Sequence, residues 1–275
     1  MKAAPLSYHR AESIAQAIEL ASRFDGTAKL MAGGQSLMPM MNLRMSVAEQ
    51  VIDISAIAAL RDCHFVKDKF FLGAGITHAM IEDGRVEDPT RGYLRHVAGG
   101  IAYRSIRNRG TIGGSLAHAD PAADWPAALR ALDAVAVIEG PEGEREVPLA
   151  EFQRGLMETA LGGAEVLKGV LVPRLSSGAR WSYRKFSRKV GEFAHSIGAV
   201  VLDPALGMAN VVVGAVGGKP VRLAKVSARL AQGLPVKDDL LRGDLAASTD
   251  LEPSSYDFQL HRTIVMRAVA EALGK

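Results

Sequence analysis

The sequence is poor in cysteine, since Cys63 is the only one in 275 residues. A single thiol cannot form an intramolecular disulfide, and it cannot supply the several ligands that an iron–sulfur cluster needs. The seven histidines form no zinc-binding motif, because neither a Cys-x-x-Cys nor a His-Glu-x-x-His sequence occurs. The sequence therefore predicts no metal site in this chain.

Aromatic residues and charge of one sign are also scarce. Aromatic side chains make up 5% of the chain, the formal net charge is +3, and the basic residues are scattered. This composition argues against nucleic-acid binding, which favours a basic stripe and stacking aromatics. The longest apolar runs, such as residues 199–202 and 210–216, are too short to cross a bilayer. With no signal-peptide pattern at the N-terminus, we expect a cytoplasmic chain without a transmembrane segment.

Glycine, in contrast, is concentrated in two similar stretches, which we call the first and second glycine segments. The first, residues 32–37, reads AGGQSL, and the second, residues 111–121, reads TIGGSLAHADP. A glycine pair leaves room for a ligand and permits a positive φ, so that successive N–H groups can bind an anion. Ser36 and Ser115, or Thr111, add hydroxyl groups. We predict that both segments follow extended chain and converge on the diphosphate of one dinucleotide.

Hydrophobic periodicity indicates a chain that mixes helices and strands. A strand over residues 29–32 leads into the first glycine segment, and a helix over residues 101–107 precedes the second. A closing helix is predicted over residues 256–273, after a polar stretch at 236–257 that we expect to run over the surface. Residues 173–178, rich in proline, serine and glycine, are the best candidate for a domain boundary.

Residues 73–78, GAGITH, imitate the opening of a dinucleotide-binding Rossmann fingerprint. His78 stands where that fingerprint requires its third glycine, and no complete strand–helix–strand unit with an acidic residue follows. The sequence therefore argues against a Rossmann fold, and Thr77 is predicted to cap a helix.

Both glycine segments lie within longer stretches that resemble one protein family. Residues 32–44, AGGQSLMPMMNLR, and residues 107–127, RNRGTIGGSLAHADPAADWPA, resemble the medium, FAD-binding subunit of molybdenum hydroxylases. That family includes aerobic carbon monoxide dehydrogenase and the flavin portion of xanthine dehydrogenase. The resemblance continues through residues 152–155, 165–173 and 183–188, and it covers nearly the whole chain.

The resemblance implies an α+β fold with a two-subdomain FAD-binding domain of the vanillyl-alcohol-oxidase (PCMH) type. This domain would span residues 1–175, with subdomains at about 1–57 and 58–175. A C-terminal flavoprotein domain of antiparallel strands and helices would follow at residues 176–275.

The resemblance also implies which residues hold FAD, although it implies no catalytic residue. The two glycine segments would enclose the diphosphate, Asp124 would lie near the flavin or its ribityl chain, and Leu167 and Lys185 would approach the isoalloxazine. A cation there would stabilise the anionic reduced flavin. The implied set is Lys29, Leu30, Met31, Ala32, Gly33, Gly34, Gln35, Ser36, Leu37, Ile101, Ala102, Thr111, Ile112, Gly113, Gly114, Ser115, Asp120, Asp124, Leu167 and Lys185.

Some of these residues have ordinary explanations when each is considered alone. Asp120 before Pro121 is a common turn opener, and Asp124 suits the first turn of a helix. Lys185 alone would be a solvated strand residue. Trp125 departs from the family pattern, in which smaller residues are common at that position.

The function implied is electron transfer within a complex. A large partner subunit would carry molybdopterin, and a small partner subunit would carry [2Fe-2S] clusters. This chain's FAD would pass electrons to oxygen, a quinone or NAD, and the resemblance implies a dimer of heterotrimers. Three alternatives stay open: a free-standing FAD oxidoreductase of the same fold, a nucleotide-binding regulatory protein, and a scaffold that has lost FAD.

Overall fold

The computed structural model describes residues 2–25 and 27–275. Its N-terminal part contains a parallel sheet of three strands in the order β1-β3-β2. Its elements are β1 (Ser7–Arg10), α1 (Ile14–Arg23), β2 (Ala28–Met31), α2 (Leu37–Asn42) and β3 (Gln50–Asp53). Helix α1 begins where the Ser13 side chain accepts the N–H of Gln16. Strand β2 ends at Met31, so the first glycine segment connects it directly to α2.

An antiparallel sheet of five strands, with order β4-β5-β10-β6-β7, forms the middle of the molecule. Strands β8 and β9 pair separately as a short hairpin. The elements of this part are β4 (Cys63–Val66), β5 (Lys69–Gly73), α3 (His78–Glu82), α4 (Tyr93–Gly99), α5 (Arg104–Arg107), α6 (Ile112–His118), α7 (Asp124–Ala131), β6 (Val135–Gly140), β7 (Gly143–Pro148), α8 (Leu149–Phe152), β8 (Gln153–Gly155), β9 (Glu158–Thr159) and β10 (Val166–Pro173).

Two expectations about this middle part have different outcomes. Thr77 caps α3, because its side chain accepts the N–H of Met80, so that prediction is confirmed. The helix predicted over residues 101–107 is wrong in its first half, since only Arg104–Arg107 is helical. Ala102 has a φ of 42°, and a right-handed helix cannot continue through a residue in that conformation.

A third, antiparallel sheet with order β11-β12-β13-β14 forms the C-terminal part. Its elements are β11 (Arg180–Phe186), β12 (Ser196–Asp203), β13 (Met208–Gly214), β14 (Val221–Arg222), α9 (Ala224–Ala231), α10 (Asp238–Ser248) and α11 (Tyr256–Ala272). The closing helix predicted over residues 256–273 is confirmed as α11, which packs on this sheet. The surface-running stretch expected at 236–257 instead contains α10, because Leu241 and Leu245, one helical turn apart, are enough to bury one side of it.

The largest hydrophobic core joins the middle part to the C-terminal sheet. Trp125, Tyr93 and Phe152 are fully buried in it. The same core includes Ile197 and Val212 of the C-terminal sheet. The start of α7 therefore lies inside the core. The separate sheets and the helices packed on them confirm the α+β fold class.

Helix α6 packs so tightly on the main chain after β5 that its position depends on Gly113. A Cβ added at Gly113 would lie 2.3 Å from the Ala74 Cβ and 2.7 Å from the Ala74 carbonyl oxygen. We predict that Gly113→Ala lowers the free energy of unfolding by about 1 to 3 kcal/mol, the usual cost of overpacking. Urea unfolding followed by circular dichroism measures this change.

The matched control is Gly163→Ala, because an added Cβ at Gly163 meets no atom within 4 Å. We expect that variant to unfold within about 0.5 kcal/mol of the natural chain. Equal stability of the two variants would contradict the packing role of Gly113.

Candidate FAD site

The two glycine segments lie against one another, as the sequence predicts. A Cβ added at Gly33 would lie 2.0 Å from the carbonyl oxygen of Arg109, just before the second segment. A Cβ added at Gly114 would lie 3.5 Å from the Ala32 Cβ. The main chains of both segments can therefore approach this closely only because the side chains are absent.

The first glycine segment has unpaired N–H groups, and three of its residues line a cleft. Among the residues that the structure describes, no N–H group from residue 32 to residue 37 donates to a main-chain carbonyl. Gly34 has a φ of 72°, and the Gln35 side-chain amide donates to the Gly33 carbonyl at 3.1 Å. The cleft measures about 370 Å³ and is lined by Met31, Gly33, Gly34, Gln35, Met38, Pro39, Asn42 and Arg109. Successive unpaired N–H groups around a concavity are the ordinary setting of an anion site.

The second glycine segment has a different structure. The expectation that its glycine pair offers free N–H groups to an anion is wrong. Residues 112–118 form α6, so the glycine pair stands in the first turn of a helix. The N–H of Gly113 donates to Ala74 O at 2.9 Å, and that of Gly114 donates to Thr111 Oγ1 at 3.0 Å. The second glycine pair therefore lacks free N–H groups, because the Thr111 cap and the packing against Ala74 take them.

Helix α3 holds the second glycine segment in place. Thr77 and Thr111 form an isolated antiparallel bridge, and the His78 N–H donates to Gly110 O at 3.0 Å. The His78 ring is 4% exposed, and its Nδ1 accepts the indole N–H of Trp125 at 3.0 Å. The two residues that stood out in the sequence, His78 and Trp125, are thus partners in one buried hydrogen bond.

An ion pair fixes the turn that precedes the second segment. The Arg107 guanidinium donates to the carbonyl oxygens of Ile101 and Ala102 at 2.8 and 3.0 Å. It also donates to both carboxylate oxygens of Glu82 at 2.8 and 3.0 Å. The Arg107 hydrogen bond is the main reason why the pKa of Glu82 lies below its usual value. This two-sided contact holds the positive-φ residue Ala102 against α3.

A buried charge pair joins α7 to the C-terminal sheet. The Asp124 carboxylate is 7% exposed, and the Lys185 Nζ lies 3.0 Å from Oδ1 and 3.1 Å from Oδ2. The hydroxyl of Tyr183 donates to Oδ1 at 2.8 Å. Two predicted site residues, Asp124 and Lys185, are therefore in direct contact, although 61 positions separate them.

The sequence of this chain matches a known family. Residues 4–175 match the family model described as the FAD binding domain in molybdopterin dehydrogenase. The chain belongs to this family.

Relatives in this FAD-binding family align over most or all of the chain. The 6-hydroxypseudooxynicotine dehydrogenase complex subunit alpha of Paenarthrobacter nicotinovorans is 33% identical over 284 residues, which cover 99% of this chain and 96% of the relative. The carbon monoxide dehydrogenase medium chain of Hydrogenophaga pseudoflava is 38% identical over 195 residues, 71% of this chain and 68% of the relative. A solved structure of carbon monoxide dehydrogenase from H. pseudoflava superposes with a TM-score of 0.89 at 31% identity, covering 100% of this chain and 99% of that one.

The remaining residues predicted to hold FAD have varied surroundings. Lys29 is exposed on β2, and Leu167 on β10 is only 5% exposed within the core. Asp120 accepts the N–H of Ala122 at 2.8 Å. This is the turn-opening role expected of an aspartate before a proline, without any cofactor. Ser36 and Ser115 are half-buried.

Sequence reasoning did not single out Arg109 and Tyr183. Arg109 lines the cleft together with Gly33, Gly34 and Gln35, and its place next to the second glycine segment was the available signal. Tyr183 is separated by one residue from Lys185 on β11, so the alternation of side chains along a strand puts both on one face.

Across residues 2–25 and 27–275, no group of three or more histidine, cysteine, aspartate or glutamate side chains could hold a metal ion. No helix in this described part of the chain is long and apolar enough to cross a membrane.

The buried His78 makes the stability of this FAD-binding chain sensitive to acid. Burial lowers the pKa of His78 from 6.5 to about 4, so the unfolded chain takes up a proton at a higher pH than the folded chain. Stability is therefore present above pH 6.5 and decreases as the pH falls toward 4. Between pH 7 and pH 5 the loss from His78 is about 2 kcal/mol.

We predict that His78→Gln, which keeps an acceptor for Trp125, flattens this decrease by about 2 kcal/mol. Urea unfolding at pH 7 and pH 5 measures it. His261, whose pKa burial also lowers to about 4, supplies the comparison, because it stays in the variant and keeps part of the slope. An unchanged slope in His78→Gln would contradict a neutral, buried His78.

Proposed function

We propose that this chain binds FAD and works as the electron-transfer subunit of a molybdenum-containing hydroxylase or dehydrogenase. The observation that carries the proposal is the first glycine segment. Its N–H groups donate to no main-chain carbonyl, its residues Gly33, Gly34 and Gln35 line a cleft, and it lies against the second glycine segment. Membership in the FAD-binding family supports the FAD diphosphate as the anion that this segment would hold.

The residues present fit this cofactor. The N–H groups of the first glycine segment would bind the FAD diphosphate, and the guanidinium of Arg109 would add a charge-assisted contact. Thr111 and Gly114 would close the site from the other side, where the missing Cβ of Gly114 leaves space beside Ala32. Ile101 and Ala102, held by Arg107, would pack on the cofactor.

Leu167 and Lys185 would form the part of the site that faces the isoalloxazine. Bound FAD can take up electrons singly and release them as a pair, which suits a carrier between one-electron donors and a two-electron acceptor. The chain's own contribution is to orient the cofactor, exclude water and place the Lys185 ammonium beside it. Asp124 would hold that ammonium in position.

Partner chains would supply the rest of the reaction. Relatives named medium chain or medium subunit support a large molybdopterin subunit and a small iron–sulfur subunit as partners. We further propose a dimer of such heterotrimers, a cytoplasmic location in keeping with the single cysteine, and oxygen, a quinone or NAD as acceptor.

We also propose a division of the chain at residue 175, with subdomains at about 1–57 and 58–175. Two observations support it. The family match ends at residue 175, and the chain passes from β10 of the five-stranded sheet to β11 of the C-terminal sheet between Pro173 and Arg180.

The function is tested by purifying an affinity-tagged chain from its source cells. We expect flavin absorption near 450 nm, one FAD per chain after denaturation, and co-purified chains that contain molybdenum and iron in elemental analysis. A colourless complex without flavin would overturn the proposal. Turnover of a small organic donor by the chain alone, without partner chains, would favour a free-standing FAD oxidoreductase.

The convergence of the two segments on FAD is tested at Gly114. A side chain here would start 2.9 Å from Thr111 Oγ1 and 3.5 Å from Ala32 Cβ. We predict that Gly114→Val removes most of the FAD from the purified complex, because a β-branched side chain would push the segments apart. The FAD content per chain measures the effect.

Gly163→Val is the control for this substitution, since Gly163 lies in open space. That variant should keep its full FAD content. Full FAD content in a folded Gly114→Val complex, as judged by circular dichroism, would count decisively against the convergence.

A further inference from the structure

The Asp124 carboxylate is held by two donors of different charge. Lys185 Nζ lies 3.0 and 3.1 Å from its two oxygens, so the ammonium spans both. The hydroxyl of Tyr183 is 2.8 Å from Oδ1. All three groups are shielded from water, since Asp124 is 7% exposed, Tyr183 is 6% exposed and the Lys185 side chain is 15% exposed.

The two donors come from the same face of β11. Tyr183 and Lys185 alternate with Ser182 and Arg184, whose side chains instead bond the Glu271 carboxylate of α11. The period of two along a strand therefore aims both donors at the start of α7. The position of β11 beside α7 thus brings both donors within hydrogen-bond distance of Asp124.

Burial makes this carboxylate dependent on its donors. Burial raises the pKa of Asp124, and the Lys185 charge and the Tyr183 hydroxyl act against that rise. Leaving a buried charged group without one of its donors is costly, because water cannot replace the lost hydrogen bond. Loss of the hydroxyl would therefore favour the neutral carboxyl and leave the ammonium without its counter-charge.

We propose that Tyr183 is a positioning residue of the FAD site, which keeps Asp124 ionised and thereby limits the net positive charge that Lys185 presents to the cofactor. This inference rests on the proposed function, since it takes Lys185 to face the isoalloxazine. An ammonium has three N–H donors, so contact with Asp124 leaves Lys185 able to donate to a further acceptor.

The expected consequence concerns the reduction potential of bound FAD. A more positive surrounding favours the anionic reduced form, so less neutralisation of Lys185 raises the potential. The purified complex is titrated with a reductant in the presence of a reference dye. We expect Asp124→Asn to shift the potential to more positive values and Tyr183→Phe to shift it in the same direction by a smaller amount. An unshifted potential in Tyr183→Phe with full FAD content would by itself overturn the role of Tyr183.

Tyr93→Phe is a matched control. Tyr93 is also a fully buried tyrosine, packed edge-on against Tyr183 with ring centroids 6.3 Å apart, but its hydroxyl donates to Ala128 O. That variant loses a buried hydroxyl without touching Asp124, and its potential should equal that of the natural complex. A general effect of loosened packing would instead move both tyrosine variants alike.

A double variant shows whether Tyr183 acts through Asp124. In the Asp124→Asn background, Tyr183→Phe should cause no further shift. FAD content is measured in every sample, so the two ideas fail separately. A natural complex without FAD would overturn the proposed function, whereas full FAD content with unshifted potentials in both Asp124→Asn and Tyr183→Phe would overturn the role of Tyr183.

Discussion

The structure depends on a close approach of two main-chain segments that lie about eighty positions apart in the sequence. Gly33 packs so closely on the carbonyl of Arg109 that a residue with a Cβ atom would not fit at this position. That contact brings the end of β2 to the start of α6, beside the cleft that Gly33, Gly34 and Gln35 line. The candidate site can form because glycine residues, which have no side chains, stand where the two segments are in contact.

Around this contact, buried and half-buried polar pairs hold the remaining parts of the site. Trp125 bonds His78, Arg107 bonds Glu82, and Lys185 bonds Asp124. Each pair joins two different elements, and the buried His78, Trp125 and Asp124 would be costly to bury without a partner. Such pairs favour one arrangement of the elements over slightly shifted ones, which is what a site for a large, rigid cofactor requires.

The two glycine segments look alike in the sequence but act differently. In the first, the chain turns through Gly34 with a positive φ and leaves its N–H groups unpaired. In the second, Thr111 caps a helix and the glycines serve close packing against Ala74 and Ala32. Local sequence could not separate these cases, because the acceptors that take the N–H groups of the second pair include the distant Ala74 carbonyl.

From the sequence alone came the α+β class, the family, the pairing of the glycine segments and the candidates Asp124 and Lys185, since these follow from local pattern and motif. The tertiary structure decided which N–H groups stay unpaired. It also decided that Trp125 donates a hydrogen bond to His78 and that Tyr183 donates one to Asp124 beside Lys185. It also decided that residues 238–248 are helical, because Leu241 and Leu245 find a core to enter. Hydrogen bonds and burial between distant residues depend on how the elements pack, and no local pattern records that packing.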